Sequence, residues 1–521
     1  MPDLPLLSRL RCLAAVALAA GVVLLMPAPA VAAVRVMILP FEAPQISPEI
    51  ESLGPGTMDS LITALKRLPE FIVLDRVTIT QAIREQAFQQ TGLADTKTAQ
   101  KLGKLLGAQV MITGRVQVAG GRVRLTGTFV DIQTGVIKQA ETVTGDLDHV
   151  FDLQDELAQA FVRQQGVAVT AEQWQGATAT LKSTASLTAY DAYQRGRAAY
   201  LQFSTAGYQT AVDWYRKALA VDGQYPLALT GVAETLTLWA HSRQQSSSET
   251  ATMLEEARWS AQKALTLQAT LPEAYRAMAV VLARCGEPGA RAYAQRAVDL
   301  APTDAENWWA LWLSGDRHPD AAELRKALEL NPRLLTALVD RGAILQSQGR
   351  TDDAIYEFRT ALAIAPEDAA AHNNLGIALR AKGRIDEAVA EYRAAIRLDG
   401  ANAAYPYNLA IALKATGDKL GAEAAYRTAL HANPRFASAY TGLGVALREQ
   451  GRIEEAVTAY RSALQLNGRD SVAWFNLGMT LRTLGARDEA IRSLTQFLTL
   501  SPQGVAADEA RRQIAEMKKG R

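Results

Sequence analysis

Cysteine and histidine are scarce, and neither sign of charge is in excess. The 521-residue chain has two cysteines, Cys12 and Cys285, and five histidines. Two cysteines cannot build a disulfide framework or a Cys-rich zinc module. His149, His241, His318, His372 and His431 share no ligand spacing. No metal site and no cofactor are expected. Lys+Arg number 55 and Asp+Glu 54, so no basic field would draw nucleic acid, and none is expected as a partner. Catalytic signatures are missing too: there is no H-E-x-x-H, no G-x-S-x-G, no G-x-x-x-x-G-K-[ST] and no paired-Cys motif. An enzyme is not expected, and no catalytic residue is nominated. Apolar residues make up 49% of the chain, ample for packed domains. Beyond residue 33 no apolar run reaches the ~18 residues needed to cross a bilayer as a helix.

Residues 1–33 read as an address. Arg9 and Arg11 are followed by the apolar run Leu13–Met26, the breakers Pro27 and Pro29, and Ala30-Val31-Ala32 at a cleavage position. That order is the order of a secretory signal peptide, so the mature chain is expected in the periplasm. Cys12 precedes the apolar run, where a lipoprotein cysteine would not lie. Cys285 is then the one cysteine of the mature chain and reads as a small buried hydrophobe.

Residues 34–166 read as an α/β module. VRVMILPF (34–41) and FIVLDRV (71–77) are short apolar strands buried on both faces. Helices are expected over 56–68, 78–90 and 97–106, with Gly107 as a C-cap. Val110–Val118, Arg122–Asp131 and Val136–Thr144 form a meander whose turns carry Gly120-Gly121 and Gly135. Gly127 interrupts the alternation of the second meander strand. A helix from Asp148 to about Gln165 closes the unit.

VMILPFE, then VLDRVTITQAIREQAFQQTGLADTKTAQKLGKLLGAQVMITGRV, then GRVRLTGTFVDIQTGVI resemble the domain of CsgG-type curli assembly proteins. Related domains occur in LpoB-like activators of peptidoglycan synthases, FlgO-like proteins and TolB-like modules. The resemblance implies an envelope protein of Gram-negative-type bacteria, with peripheral association with outer-membrane assembly and oligomerisation as expectations. This sequence lacks the lipobox cysteine and the long hairpins of the pore-forming members, so pore activity does not carry over.

Residues 167–189 read as a Thr-, Ala-, Ser- and Gln-rich linker. Thereafter the chain is helical and repetitive. Gly349, Gly383, Gly417, Gly451 and Gly485 recur every 34 residues, as do Ala354, Ala388, Ala422, Ala456 and Ala490. Phe358, Tyr392, Tyr426, Tyr460 and Leu494 follow four residues after those alanines. This resembles the tetratricopeptide repeat, a stack of helix A–turn–helix B units. Five regular repeats span 335–502, degenerate ones 190–334, and residues 503–521 form a capping helix. In each regular repeat the small residue at helix A position 8 is expected to face the helix B alanine. Trp308, Trp309 and Trp312 read as core.

The fold class is therefore α+β multidomain: a mixed sheet with helices, then an all-α superhelical solenoid. Its candidate site is the concave wall. Asn374, Asn408 and Asn476 would lie along one edge, Ile377, Ile411, Val445 and Met479 along the floor, and Arg380, Lys414, Arg448 and Arg482 along the other edge. Amides can pair with a ligand backbone, and the cations suit acidic side chains or a C-terminal carboxylate. The function expected is an exported, non-catalytic adaptor that binds protein or peptide partners for an envelope machine. The alternatives are a curli-type secretion or assembly component and an LpoB-like activator of peptidoglycan synthesis.

Overall fold

The computed structural model describes residues 33–43, 52–74, 76–85, 96–178, 183–243 and 248–519. The leader expected over 1–33, but for its last residue, and residues 86–90 of the helix expected over 78–90 lie outside these. The N-terminal module is one five-stranded sheet with helices. Its strands are β1 (Val34–Ile38), β2 (Phe71–Val73), β3 (Val110–Ala119), β4 (Arg122–Asp131) and β5 (Ile137–Asp146), in the order β2-β1-β3-β4-β5. β1 pairs in parallel with β2 and β3, with Val36 opposite Val110. β3, β4 and β5 are antiparallel. Helices α1 (Leu53–Leu65), α2 (Arg76–Glu85), α3 (Thr96–Leu105) and α4 (Val150–Gln164) complete it.

Val36, Met37 and Ile38 are all buried; consecutive buried residues require cover on both faces of the sheet. In β4 one face is Val123, Leu125, Gly127 and Phe129, all buried. Gly127 therefore continues that face rather than interrupting it. A Cβ there would lie 2.8 Å from Leu157 of α4, and one at Gly145 would lie 3.0 Å from Leu153. The two glycines let α4 rest directly on the sheet, where Phe161 meets Phe129 edge-on at 5.3 Å. Gly120 and Gly121 both have positive φ, +57° and +76°, and form the tight turn between β3 and β4.

The stretch expected as a linker carries helix α5 (Ala171–Thr178). Trp174 donates from Nε1 to Asp155 at 2.9 Å, and Val167, Val169 and Trp174 pack on the module's core.

From Leu187 nine helix pairs follow among the described residues. Their A helices are Leu187–Tyr200, Pro226–Ser242, Pro272–Cys285, Ala305–Leu313, Leu335–Ser347, Ala369–Ala381, Ala404–Ala415, Ala437–Glu449 and Ser471–Thr483, here repeats 1 to 9. A final helix, Val505–Lys519, covers the end. Gly349, Gly383, Gly417, Gly451 and Gly485 each end helix A with φ between +76° and +84°, a region that costs a glycine little. Each turn then closes with a bond such as Arg350 N–H to Leu345 C=O, 2.9 Å.

The contact between helices A and B differs from the expected one. Helix A position 8 faces the side chain four residues beyond the helix B alanine. A Cβ at Gly342 would lie 2.7 Å from Phe358, at Gly376 2.7 Å from Tyr392, at Gly444 2.5 Å from Tyr460 and at Gly478 2.7 Å from Leu494. The notch is made for a ring or branched side chain, not for a methyl group. Repeat 1 uses the same device, with Gly196 against Tyr215. Trp309 and Trp312 are buried, and each indole of the trio donates, Trp308 to Pro302 C=O, Trp309 to Asp340 and Trp312 to His318 C=O. Cys285 is exposed, correcting its reading as a buried hydrophobe. It sits in the last turn of its helix, just before the left-handed Gly286.

Gly376→Ala should lower stability by about 1–3 kcal/mol through overpacking against Tyr392. Gly383→Ala should cost ~1–2 kcal/mol through its left-handed backbone. Gly400→Ala, whose nearest atom is 3.4 Å away, should be close to neutral. Urea midpoints of the three variants check this ranking.

Candidate peptide-binding site

Helices A of neighbouring repeats touch one another closely, so they form the inner wall of the superhelix. The eleven candidate residues all lie on the A helices of repeats 6 to 9. Ile377, Ile411, Val445 and Met479 are half-buried and pack against the repeat core. They form an apolar row, but part of each side chain is already spent on packing.

The amides are less available than the sequence suggests. Asn408 donates from Nδ2 to Asn373 Oδ1 of the preceding A helix, 2.8 Å. Asn476 is buried and donates to Val472 C=O of its own helix, 2.9 Å. Asn374 is half-buried. Asn408 therefore ties two A helices of the wall together, and Asn476 is spent on its own helix.

The cations divide in two. Arg380 and Arg448 are half-buried, whereas Lys414 and Arg482 are exposed. Arg482 donates to Gln513 and lies 3.9 Å from Glu516, both on the final helix. Lys414 makes no ion pair among the described residues. Beside the wall, His372 Nδ1 meets Glu391 at 2.6 Å and Nε2 meets Pro366 C=O at 3.1 Å. Burial opposes a charge on this imidazole, but those two acceptors prevail and its pKa is raised.

The inner wall of the first five repeats is occupied by the chain itself. Tyr190 of repeat 1 is buried in the module's core: its hydroxyl is 3.2 Å from Ser60 and its ring meets Phe151 edge-on at 5.0 Å. At the end of α1, Lys66 pairs with Asp304 at 3.1 Å, and Arg67 pairs with Glu273 at 3.0 Å. Thr303 donates to Lys66 C=O, 2.6 Å, and Thr78 to Asn331, 3.2 Å. Arg276 is 5% exposed and gathers Glu234, Asp304 and Glu306 within 3.1 Å. Burial alone would raise the Asp304 carboxyl; Lys66 and Arg276 overcome it and hold the pKa at about 2. The solenoid also meets itself: Thr205 donates to Asp399, 3.0 Å, and Asn402 to Ser242 C=O, 3.3 Å. These long-range pairs carry no periodic signature, so the sequence did not reveal them.

Residues 310–369, 339–403 and 407–471 match one tetratricopeptide repeat model and 471–503 another. Residues 40–150 match the model described as curli production assembly/transport component CsgG. A curated protein of Rhizobium meliloti (strain 1021), named "Putative adenylate cyclase 3", is 25% identical over 252 residues. The match takes in 47% of this chain and 40% of that protein, so this chain spans well under half of its relative's length. Among solved structures, the tetratricopeptide repeat protein YrrB, titled as having an unusual peptide-binding site, is 21% identical. That alignment covers 37% of this chain and all of YrrB, with a TM-score of 0.32. The Cut9–Hcn1 complex gives 15% identity, 90% and 100% coverage and a TM-score of 0.43. PilF of Pseudomonas aeruginosa gives 19%, 46%, 97% and 0.36. The chain thus carries a CsgG domain followed by tetratricopeptide repeats, a protein-interaction scaffold.

Two predictions concern these contacts. Arg67 is 5% exposed at its side chain and also donates to Gly176 C=O, 3.0 Å. Arg67→Ala should cost about 3 kcal/mol, because Glu273 loses its partner, and should make residues 167–186 more sensitive to protease. Because the folded pKa of His372 is raised, its contribution is full below its unfolded value of about 6.5 and is lost as pH rises through the folded value. A His372→Asn variant should therefore show a weaker fall in thermal midpoint above pH 6.5 than the parent.

Proposed function

We propose that this chain, a tetratricopeptide repeat protein with a CsgG domain, is an exported, non-catalytic adaptor. It holds an extended acidic polypeptide along repeats 6 to 9 and joins it to a cell-envelope machine through the N-terminal module. The observation that carries this reading is the side-by-side stack of the last four A helices, with an apolar row flanked by exposed Lys414 and half-buried Arg448. Apolar contact supplies affinity, and the cations select for acidic side chains or a terminal carboxylate. The wall of repeats 1 to 5 is set aside as the peptide groove because α1 is docked against it through Lys66 and Arg67.

Export rests on the order of charge, apolar run and small residues in the first 33 positions. The CsgG match supports an envelope setting, and among the described residues no helix is long and apolar enough to cross a membrane. The relative's cyclase name belongs to a protein of which this chain matches 40%, and the non-catalytic reading draws on the repeat matches over 310–503.

A second reading, an assembly component that oligomerises through the module, draws on β5. That ten-residue strand lies at the edge of the sheet and is mostly exposed, a row of backbone groups open to another strand. A monomer by light scattering at micromolar concentration would remove it.

The adaptor reading is tested by fluorescence anisotropy with a Glu-rich peptide bearing a free C-terminus. Lys414→Glu combined with Arg448→Glu should weaken binding by about tenfold or more, equivalent to ~1.4 kcal/mol, and raised salt should weaken the parent. Equal binding by parent and variant would refute it.

A further inference from the structure

The cations of the regular wall recur in space as well as in sequence. Arg380, Lys414 and Arg448 occupy the same turn of three successive A helices, 34 residues apart, and Ile377, Ile411 and Val445 precede them by three residues each. Those helices touch. Asn408 donates to Asn373 across the first junction at 2.8 Å, and the next two A helices meet as well. Packed helices lie ~8–10 Å apart, axis to axis, so the step from one cation to the next is of that size. Arg380 lies beside the phenol of Tyr392 and Arg448 near that of Tyr460. Each is the helix B ring of its own repeat, which keeps the two guanidiniums in equivalent places.

None of the three cations is in an ion pair among the described residues. Glu449 is the one carboxylate on these three helices. It lies one position beyond Arg448 and so points about 100° away around the helix. Arg482 ends the row, because it is turned to Gln513 and Glu516 on the final helix.

An extended ligand matched to this wall must present one acidic group per step, always on the same side. A β-strand rises ~3.3 Å per residue and alternates its side chains, so same-side residues come every ~6.6 or ~13 Å, and neither fits the step. A polyproline II helix has three residues per turn and rises ~3.1 Å for each, which brings every third side chain to one side at ~9.3 Å. The wall also offers little to a ligand backbone, since Asn408 and Asn476 are already hydrogen-bonded within it. Proline has no N–H to satisfy, and its preformed ring suits the half-buried aliphatic row.

Resting on the peptide-groove reading above, we propose that repeats 6 to 8 read a polyproline II segment with an acidic residue at every third position. One carboxylate lies on each of Arg380, Lys414 and Arg448, and the intervening prolines cover Ile377, Ile411 and Val445.

The test uses the full chain and three labelled eleven-residue peptides with capped ends. Each has three glutamates and eight prolines, with glutamate at every second, every third or every fourth position. Anisotropy should show the every-third peptide binding at least tenfold tighter than either of the others. A fourth peptide, with the same spacing but serine for proline, should bind several-fold more weakly, because it must be ordered on binding. Lys414→Glu should weaken the every-third peptide at least tenfold, and changing that peptide's central glutamate to lysine should restore binding to the variant. Equal binding of the three proline peptides overturns the proposal, as does a serine peptide that binds as well as its proline counterpart. If the three bind equally and Lys414→Glu combined with Arg448→Glu weakens them all, the acidic groove stands and its spacing fails. If neither they nor the Glu-rich peptide binds, the groove reading falls as well.

Discussion

No helix pair in this array can bury its apolar face alone, and everything else in the solenoid depends on how closely the two helices within each pair approach. That distance is set by a ring of helix B, Phe358, Tyr392 or Tyr460, seated over a glycine of helix A. The ring is fully or almost fully buried, so each pair keeps a fixed shape, and Tyr215 and Tyr426 in turn seat Gly231 and Gly442 of the following helix A. Outside, Arg452 bridges Glu423 and Glu455 at 2.7 and 2.6 Å and links helices B of successive repeats. Such partly exposed pairs add little energy each; the seated rings fix the geometry.

The same stacking places two different surfaces on one inner wall. In repeats 1 to 5 the wall is turned toward the module, and the contact is charged: Lys66 meets Asp304 and Arg67 meets Glu273, while Arg276 of repeat 3 gathers Glu234, Asp304 and Glu306 within the wall. In repeats 6 to 9 the wall is lined by half-buried aliphatic side chains and cations at its margin. The module thus rests on the first half of the superhelix, and the proposed partner site is placed on repeats 6 to 9.

Much of this was legible in sequence because it is periodic or local. The 34-residue spacing gave the helix pairs and the left-handed glycines, and the meander followed from strand alternation and turn glycines. Gly127 was misread because alternation counts a glycine as a gap, although only a residue without Cβ lets Leu157 approach. The ring-over-glycine contact was assigned to the alanine because spacing alone cannot tell which of two residues four apart on helix B points inward. Asn408 and Asn476 looked free because their partners, Asn373 and Val472 C=O, are defined by rotamer rather than pattern. The docking of α1 on repeats 3 and 4 joins residues more than 200 positions apart, Arg67 with Glu273, and no local rule predicts that.

The central claim is that partner binding belongs to repeats 6 to 9 while the module keeps the earlier wall. Hydrogen exchange of the full chain with and without a saturating Glu-rich peptide addresses it directly. The account predicts added protection confined to 369–381, 404–415, 437–449 and 471–483. Protection over 187–313 instead, or faster exchange in α1 as the module is displaced, would contradict it.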